Sequence, residues 1–285
     1  MPGSLCMLAF DHRTSLLRAF FGVEGDPGPE DVRRAREAKG VIWDGLVRGR
    51  GAGFAGEPAA LVDATYGAEV IAAAHAAGIP VAVPFEESGR AELAFEHEDW
   101  RNRLERLHPT WAKVLVRYNP AGDAAMNARQ RATLRTFTEH CAATGHPTLL
   151  ELLVPPEPTQ AGPAYDLAVR PALMVDAIEE LRGDGIAPDL WKVEGLEQRQ
   201  DCEAVARVAG APCLVLGRGA DLGAVERWLR VASGVEGFEG FAIGRSIWWE
   251  PLRRWAEGGD RGDAVAAIAE TYRRCAGVFD AGAAG

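Results

Sequence analysis

Eight short apolar runs recur along the chain, and the stretches between them carry helical periodicity. The runs are "LCMLAF" (5–10), "ALVDAT" (60–65), "IPVAVPFE" (79–86), "WAKVLVRY" (111–118), "PTLLELLVP" (147–155), "DLWKVEG" (189–195), "PCLVLGRG" (212–219) and "GFAIGRS" (240–246). Most are apolar at successive positions, which suits strands of a parallel sheet covered by helices on its outer face. Amphipathic helices are expected over 29–48, 67–77, 99–107, 127–144, 170–183, 199–209, 221–233 and 262–278. Asn127 or Asp123 would cap the fourth of these, Gly145 would end it, and Asp221 would cap the seventh. Eight βα units in 285 residues fit an α/β fold of the (β/α)8 TIM-barrel type better than an open doubly wound sheet, which stands as the alternative. The reading is one domain over 1–280, with a short "AGAAG" tail at 281–285 expected to fray.

A barrel places its chemistry at the C-terminal ends of the strands, so the strand list becomes a test. The first strand runs into Asp11, His12 and Arg13, the second leads to Asp63, and the third ends at Glu86 and Glu87. Lys113 and Arg117 are four apart on the fourth and share a face, as do Lys192 and Glu194 on the sixth, because side chains alternate with period two. Glu151 lies on the fifth strand; the seventh ends Gly217-Arg218-Gly219 and the eighth Gly244-Arg245-Ser246. Each has a purely structural reading too: Asp11 as a loop cap, Glu86 and Glu87 as a solvated corner, the lysines as buried ion pairs with Glu151 and Glu194. Desolvation offsets most of the attraction in such pairs, so they are poor stabilisers. His97 and His108 read as surface residues, and no metal-ligand spacing stands out.

The lysines sharpen the argument. Of 31 basic residues only Lys39, Lys113 and Lys192 are lysine; the rest are arginine. An amine is a nucleophile only when neutral, and free lysine titrates at about 10.4. Burial beside a second ammonium favours the neutral amine, a state arginine effectively never reaches. Two lysines and several carboxylates inside one barrel therefore suggest a Schiff-base enzyme, with Lys192 attacking a ketone. "GRGADLG" (217–223) misses the dinucleotide fingerprint by one residue and comes late in the chain. It suits half of a phosphate site better, with Gly217 and Gly219 facing Gly244 and Arg245 of the eighth strand end.

Net charge bounds the partners. At −10 the chain is a poor match for nucleic acid or an acidic membrane surface, although local arginines can still make an anion pocket. Five scattered cysteines with no CxxC pair suggest free thiols in a reducing compartment. "MPGSLCMLAFDHR" lacks the pattern of a secretory leader, and no apolar run reaches the roughly 18 residues of a membrane helix. A cytoplasmic location is expected, with no cofactor and no metal; a homo-oligomer is compatible with the sequence.

The motifs "LAFDHR", "KVLVRYNP", "LLELLVP", "WKVEG", "VLGRG" and "FAIGRSIW" resemble the aldolase domain of bacterial myo-inositol catabolism, a 5-dehydro-2-deoxyphosphogluconate aldolase often fused to a sugar kinase. The resemblance runs from about residue 5 to 275. The chain is similar, more distantly, to the class I tagatose 1,6-bisphosphate aldolases, barrels that use the lysine of a "KVE" motif. The resemblance implies Lys192 as the Schiff-base lysine, Lys113 as a second active-site lysine, Glu151 as the proton-transfer carboxylate and Asp11 as a further acid. His12 stands where the tagatose enzymes usually have Gln, and "VRYNP" departs from their fourth strand.

The expected activity is metal-independent cleavage of a phosphorylated keto-sugar acid, 6-phospho-5-dehydro-2-deoxygluconate, to dihydroxyacetone phosphate and malonate semialdehyde. Arg117 or Arg13 would hold the acid's carboxylate. The alternatives are another phosphorylated ketose, such as tagatose 1,6-bisphosphate or a sulfosugar phosphate, and a catalytically silent phosphosugar-binding protein.

Overall fold

The computed structural model describes residues 3–283. Eight parallel strands close into a barrel in sequence order, the first pairing with both the second and the eighth. They are Leu5–Ala9 (β1), Glu57–Leu61 (β2), Val81–Pro84 (β3), Trp111–Arg117 (β4), Thr148–Leu153 (β5), Leu190–Glu194 (β6), Cys213–Leu216 (β7) and Phe238–Ile243 (β8). The helices are Thr14–Phe21 (α1), Pro29–Gly49 (α2), Ala64–Ala76 (α3), Trp100–Leu107 (α4), Ala124–Ala143 (α5), Arg170–Gly183 (α6), Arg199–Ala209 (α7), Leu222–Ala232 (α8), Arg245–Ala256 (α9) and Arg261–Ala283 (α10). This is a TIM barrel.

Period two along the strands explains why they read as apolar throughout. On β6, Trp191 and Val193 point outward into the layer between strands and helices, while Leu190 points into the barrel. The inward set, Met7, Leu61, Ala82, Leu149, Leu190, Leu214 and Ala242, packs into a buried plug of its own. The same alternation turns Lys113, Glu151 and Lys192 inward above that plug. On the outside, α10 ties back to β1 through the Tyr272 hydroxyl, which donates to the Cys6 carbonyl at 2.6 Å.

Side-chain caps set several boundaries. Asp63 accepts from the Tyr66 amide at 2.7 Å, so α3 starts at Ala64 and β2 ends earlier than the expected 60–65 run. Asp123, not Asn127, caps α5, accepting from the Ala125 and Met126 amides, and Asp221 caps α8. Two helices were not foreseen. The first, α1, has only eight residues and no side-chain cap; the second, α9, begins directly after the eighth strand and contains Pro251, a residue that normally argues against a helix interior. A single π-helical turn, Tyr165–Val169, precedes α6. The tail expected to fray from 281 continues α10 as far as Ala283, and its last two residues lie outside the described residues. Among the described residues no helix is long and apolar enough to cross a membrane.

Candidate active site

The C-terminal mouth opens into a cavity of about 500 Å³ whose walls include Asp11, Glu86, Lys113, Glu151, Lys192, Glu194 and Arg245. At its base β5 and β6 place Glu151 and Lys192 side by side in register. One carboxylate oxygen, Glu151 Oε2, lies 2.9 Å from Lys192 Nζ and 3.0 Å from Lys113 Nζ. The two amines are therefore closer together than the sum of those contacts, well inside the distance over which charges couple.

The amines differ in their surroundings. Lys113 is 1% exposed and also meets Glu86 Oε1 at 2.6 Å and Asp11 Oδ2 at 3.0 Å, so three carboxylates enclose it. Burial alone would push its ammonium down, but Asp11, Glu151 and Glu86 outweigh that and hold it well above the ordinary lysine range. It is a fixed positive charge. Lys192 contacts Glu151 alone among the carboxylates of the described residues.

The carboxylates respond in kind. Burial works to raise Asp11, but Lys113, then Lys192 and His12, hold it well below the usual range. Burial also raises Glu151, and Lys113 and Lys192 together bring it below the ordinary value. His12 lies edge-on to Trp248, ring centroids 5.3 Å apart, with Nδ1 3.9 Å from Asp11 Oδ1. Burial, with Lys39, Arg245 and Lys192 nearby and Asp11 opposing, pushes its imidazole down to about 4. It faces the cavity as a neutral ring.

Glu194 shares the inward face of β6 with Lys192 but does not pair with it. Its Oε2 accepts from the Val154 amide at 2.8 Å, and its Oε1 lies 3.1 Å from Arg218 Nε. Burial raises its carboxyl in spite of Arg170, Val154 and Arg218. Arg218 also reaches Asp166 of the π-helical turn at 2.7 Å and adopts a left-handed backbone, φ 51°, unusual for a residue with a side chain.

The expected anion-binding residues fall into two groups. Gly217, Gly219, Gly244 and Arg245 come together on one rim, where the N-termini of α8 and α9 also end. Gly219, φ 73°, lies so close to Arg245 that a Cβ there would sit 2.7 Å from its Cζ. Arg117 lies on the opposite side of the mouth and donates from Nη1 to the Arg90 carbonyl at 2.8 Å. Arg13 also lines the cavity, but it is 5% exposed and its guanidinium is engaged within the protein, donating to the Glu86 carbonyl at 2.8 Å and pairing with Glu96.

Three residues not assigned to the site by sequence belong to its neighbourhood. Glu86 had been weighed as a solvated corner, but it is buried against Lys113. Arg218 was visible as the middle of a Gly-Arg-Gly strand end, a position whose left-handed backbone has no sequence signature of its own. Lys39 reaches the end of β1 from α2, a contact no local pattern carries.

The family model described as "Uncharacterized protein conserved in bacteria (DUF2090)" matches residues 2–282. No curated protein sequence matches the chain. Among solved structures, fructose-bisphosphate aldolase from Plasmodium falciparum superposes with a TM-score of 0.69 at 11% identity, covering 96% of this chain and 90% of that one. Cgl0159 from Corynebacterium glutamicum gives 0.62 at 18% identity, covering 96% and 86%. An archaeal fructose 1,6-bisphosphate aldolase gives 0.57 at 13% identity, covering 98% and 94%. At these identities the likeness is one of fold.

Proposed function

We propose that this chain, which belongs to the DUF2090 family, is a class I aldolase that cleaves a phosphorylated ketose through a Schiff base on Lys192. The observation that carries this reading is the single Glu151 oxygen in contact with both amines, one enclosed by three carboxylates and one that, among the described residues, meets Glu151 alone of the carboxylates.

That asymmetry divides the labour. Lys113 stays an ammonium and compensates the carboxylates, while Lys192, in contact with Glu151, is the amine that attacks the ketone carbon. Glu151, in contact with Lys192 Nζ, takes the amine's proton and returns it to the carbinolamine hydroxyl as water leaves. In the protonated imine, a carboxylate removes the proton of the hydroxyl on the far carbon of the bond to be broken, the carbon β to the imine. The electrons of that C–C bond flow into the imine, an enamine forms and the aldehyde departs. Protonation of the enamine and hydrolysis return the free amine. Asp11, held ionised, keeps Lys113 charged throughout.

The cavity, about 500 Å³, is in the range for a small phosphorylated sugar. The rim of Gly217, Gly219, Gly244 and Arg245 suits the phosphoryl group, and Arg117 across the mouth suits a second anion. That second anion is a carboxylate if the substrate is 6-phospho-5-dehydro-2-deoxygluconate, the reading the sequence motifs favour. It is a phosphate if the substrate is a ketose bisphosphate, the reading the likeness to fructose-bisphosphate aldolases favours. Borohydride reduction in the presence of each substrate tests both levels. Irreversible mass addition at Lys192 is expected with the true substrate, and labelling elsewhere overturns the Schiff-base assignment. The ratio of cleavage rates for the two compounds, in wild type and in Arg117→Ala, decides the second anion.

A further inference from the structure

Lys39 is the third lysine of a chain that otherwise uses arginine, and it takes no part in the cavity wall. It is fully buried on α2 behind the end of β1. Its ammonium donates to the carbonyl of Phe10 and, at 2.7 Å, to the carbonyl of His12, and it lies 2.5 Å from Asp63 Oδ1. The two carbonyls flank Asp11. The other oxygen of Asp63 caps α3. Three oxygens thus surround a group with three donors, a geometry that a planar guanidinium cannot reproduce.

We propose that Lys39 is a positioning residue for the reaction: by gripping the backbone on both sides of Asp11, it sets where the Asp11 carboxylate meets Lys113. The inference rests on the Schiff-base reading. A line of contacts leads from Lys39 through the Phe10 and His12 carbonyls to Asp11, then to Lys113, Glu151 and Lys192. Residues 10–12 have left the strand ladder apart from the Phe10 amide, which donates to the Leu61 carbonyl at 2.7 Å. Beyond that bond Lys39 is what fixes the peptide planes around Asp11. If it is lost, the buried Phe10 carbonyl and the half-buried His12 carbonyl lose this donor, and the segment must shift to satisfy the buried one.

The test uses dihydroxyacetone phosphate as the probe and borohydride to trap it on Lys192, with rates expressed per folded molecule. Lys39→Met is compared with Lys39→Met/Asp63→Asn, which removes both buried charges and keeps a cap for α3. In both variants trapping is expected to slow about 10- to 100-fold, the scale of a misplacement of about 1 Å. The acid limb of the rate-pH profile is expected to move to higher pH, because Asp11 no longer sits squarely against Lys113, with Lys192 and His12 as its other charged neighbours. If Lys39 only neutralises Asp63, the double variant folds and traps with the wild-type rate and profile, and the inference is overturned. Failure of both variants to fold also overturns it, assigning Lys39 to the scaffold alone. If the wild type is not trapped at Lys192, the Schiff-base reading falls and takes this inference with it. Trapping in the wild type that the double variant matches removes the inference alone.

Discussion

The two halves of the barrel interior are made of opposite materials. The lower half is an apolar plug of Met7, Leu61, Ala82, Leu149, Leu190, Leu214 and Ala242. One layer higher, the same inward-facing rows of the same strands supply Lys113, Glu151 and Lys192, with Asp11 and Glu86 arriving from strand ends. The plug needs no partner beyond close packing. The upper layer has no hydrophobic term to hold it and exists only because its charges compensate one another. Burial is the largest influence on Asp11, Glu151 and Lys113 and opposes the charged form of each, yet all three remain charged. The floor excludes water from below, which strengthens every interaction above it. On the proposed mechanism, stability and chemistry are thus assigned to adjacent layers of one barrel.

The sharpest way to break that contrast is to remove a group from the upper layer that chemistry needs and packing does not. Lys192→Ala is expected to lower cleavage and borohydride trapping by about 10⁴-fold or more, the scale seen when a covalent nucleophile is removed. Circular dichroism and the melting temperature should show a folded protein, because among the described residues Lys192 contacts Glu151 alone of the carboxylates and Lys113 still neutralises that carboxylate.

Lys113→Met is the opposite experiment. Three carboxylates lose the ammonium they surround, and leaving buried charge uncompensated costs about 3–5 kcal/mol. Denaturant titration should find that loss, together with a collapse of activity. Leu214→Ala, in the plug, should cost a comparable 2–5 kcal/mol from lost contacts and a cavity. Its turnover per folded molecule should stay at the wild-type value. If Leu214→Ala impairs turnover as much as stability, the two layers are not independent.

How much of this was legible in sequence follows the same division. All eight strands could be read, because a barrel strand covered on both faces is a short apolar run and its inward ionisable residues stand out against it. Lys113, Glu151 and Lys192 were visible for that reason. Their pairing was not: Lys192 and Glu194 share a face, yet Lys192 pairs across to Glu151 while Glu194 turns to Arg218 and the Val154 amide. Register between strands decides that, and register is a property of the closed barrel. The burial of Glu86 and Arg13 was not legible, because it comes from contacts 27 and 83 residues distant in sequence. The helices α1 and α9 were missed since one is short and uncapped and the other contains a proline.

The pH response offers a finer probe of the upper layer. His12 is pushed down to about 4 in the fold by burial, with Lys39, Arg245 and Lys192 adding and Asp11 opposing, whereas an unfolded histidine titrates at about 6.5. The fold prefers the neutral ring, so this contribution to stability is complete above about pH 6.5 and is lost as pH falls toward 4, to a total of up to about 3 kcal/mol. Asp11 and Glu151, both lowered, lose their share only below the ordinary carboxyl range. Glu194, raised by burial, works in the opposite sense and cancels when variant and wild type are compared. His12→Gln should therefore flatten the fall in melting temperature between pH 6.5 and 4 relative to wild type. Parallel profiles would place the imidazole in solvent.

The smallest expected effect lies on the rim, where the layer meets solvent. Arg245 is exposed at the first turn of α9, and its Nη2 donates to the Arg218 carbonyl at 3.1 Å. It can reach that carbonyl because Gly219, at φ 73°, leaves room for the guanidinium against bare backbone. A phosphoryl group held here would meet one guanidinium and the amides at the start of α9. Arg245→Ala is then expected to weaken dihydroxyacetone phosphate binding by about 1.5–3 kcal/mol, the range for a hydrogen bond to a charged group. Binding of unphosphorylated dihydroxyacetone should be unchanged, since its ketone meets only the lower groups. Gly219→Ala should reproduce part of the loss by displacing the guanidinium without removing it. Calorimetry with the two ligands separates the cases, and equal losses for both would move the phosphate site away from this rim.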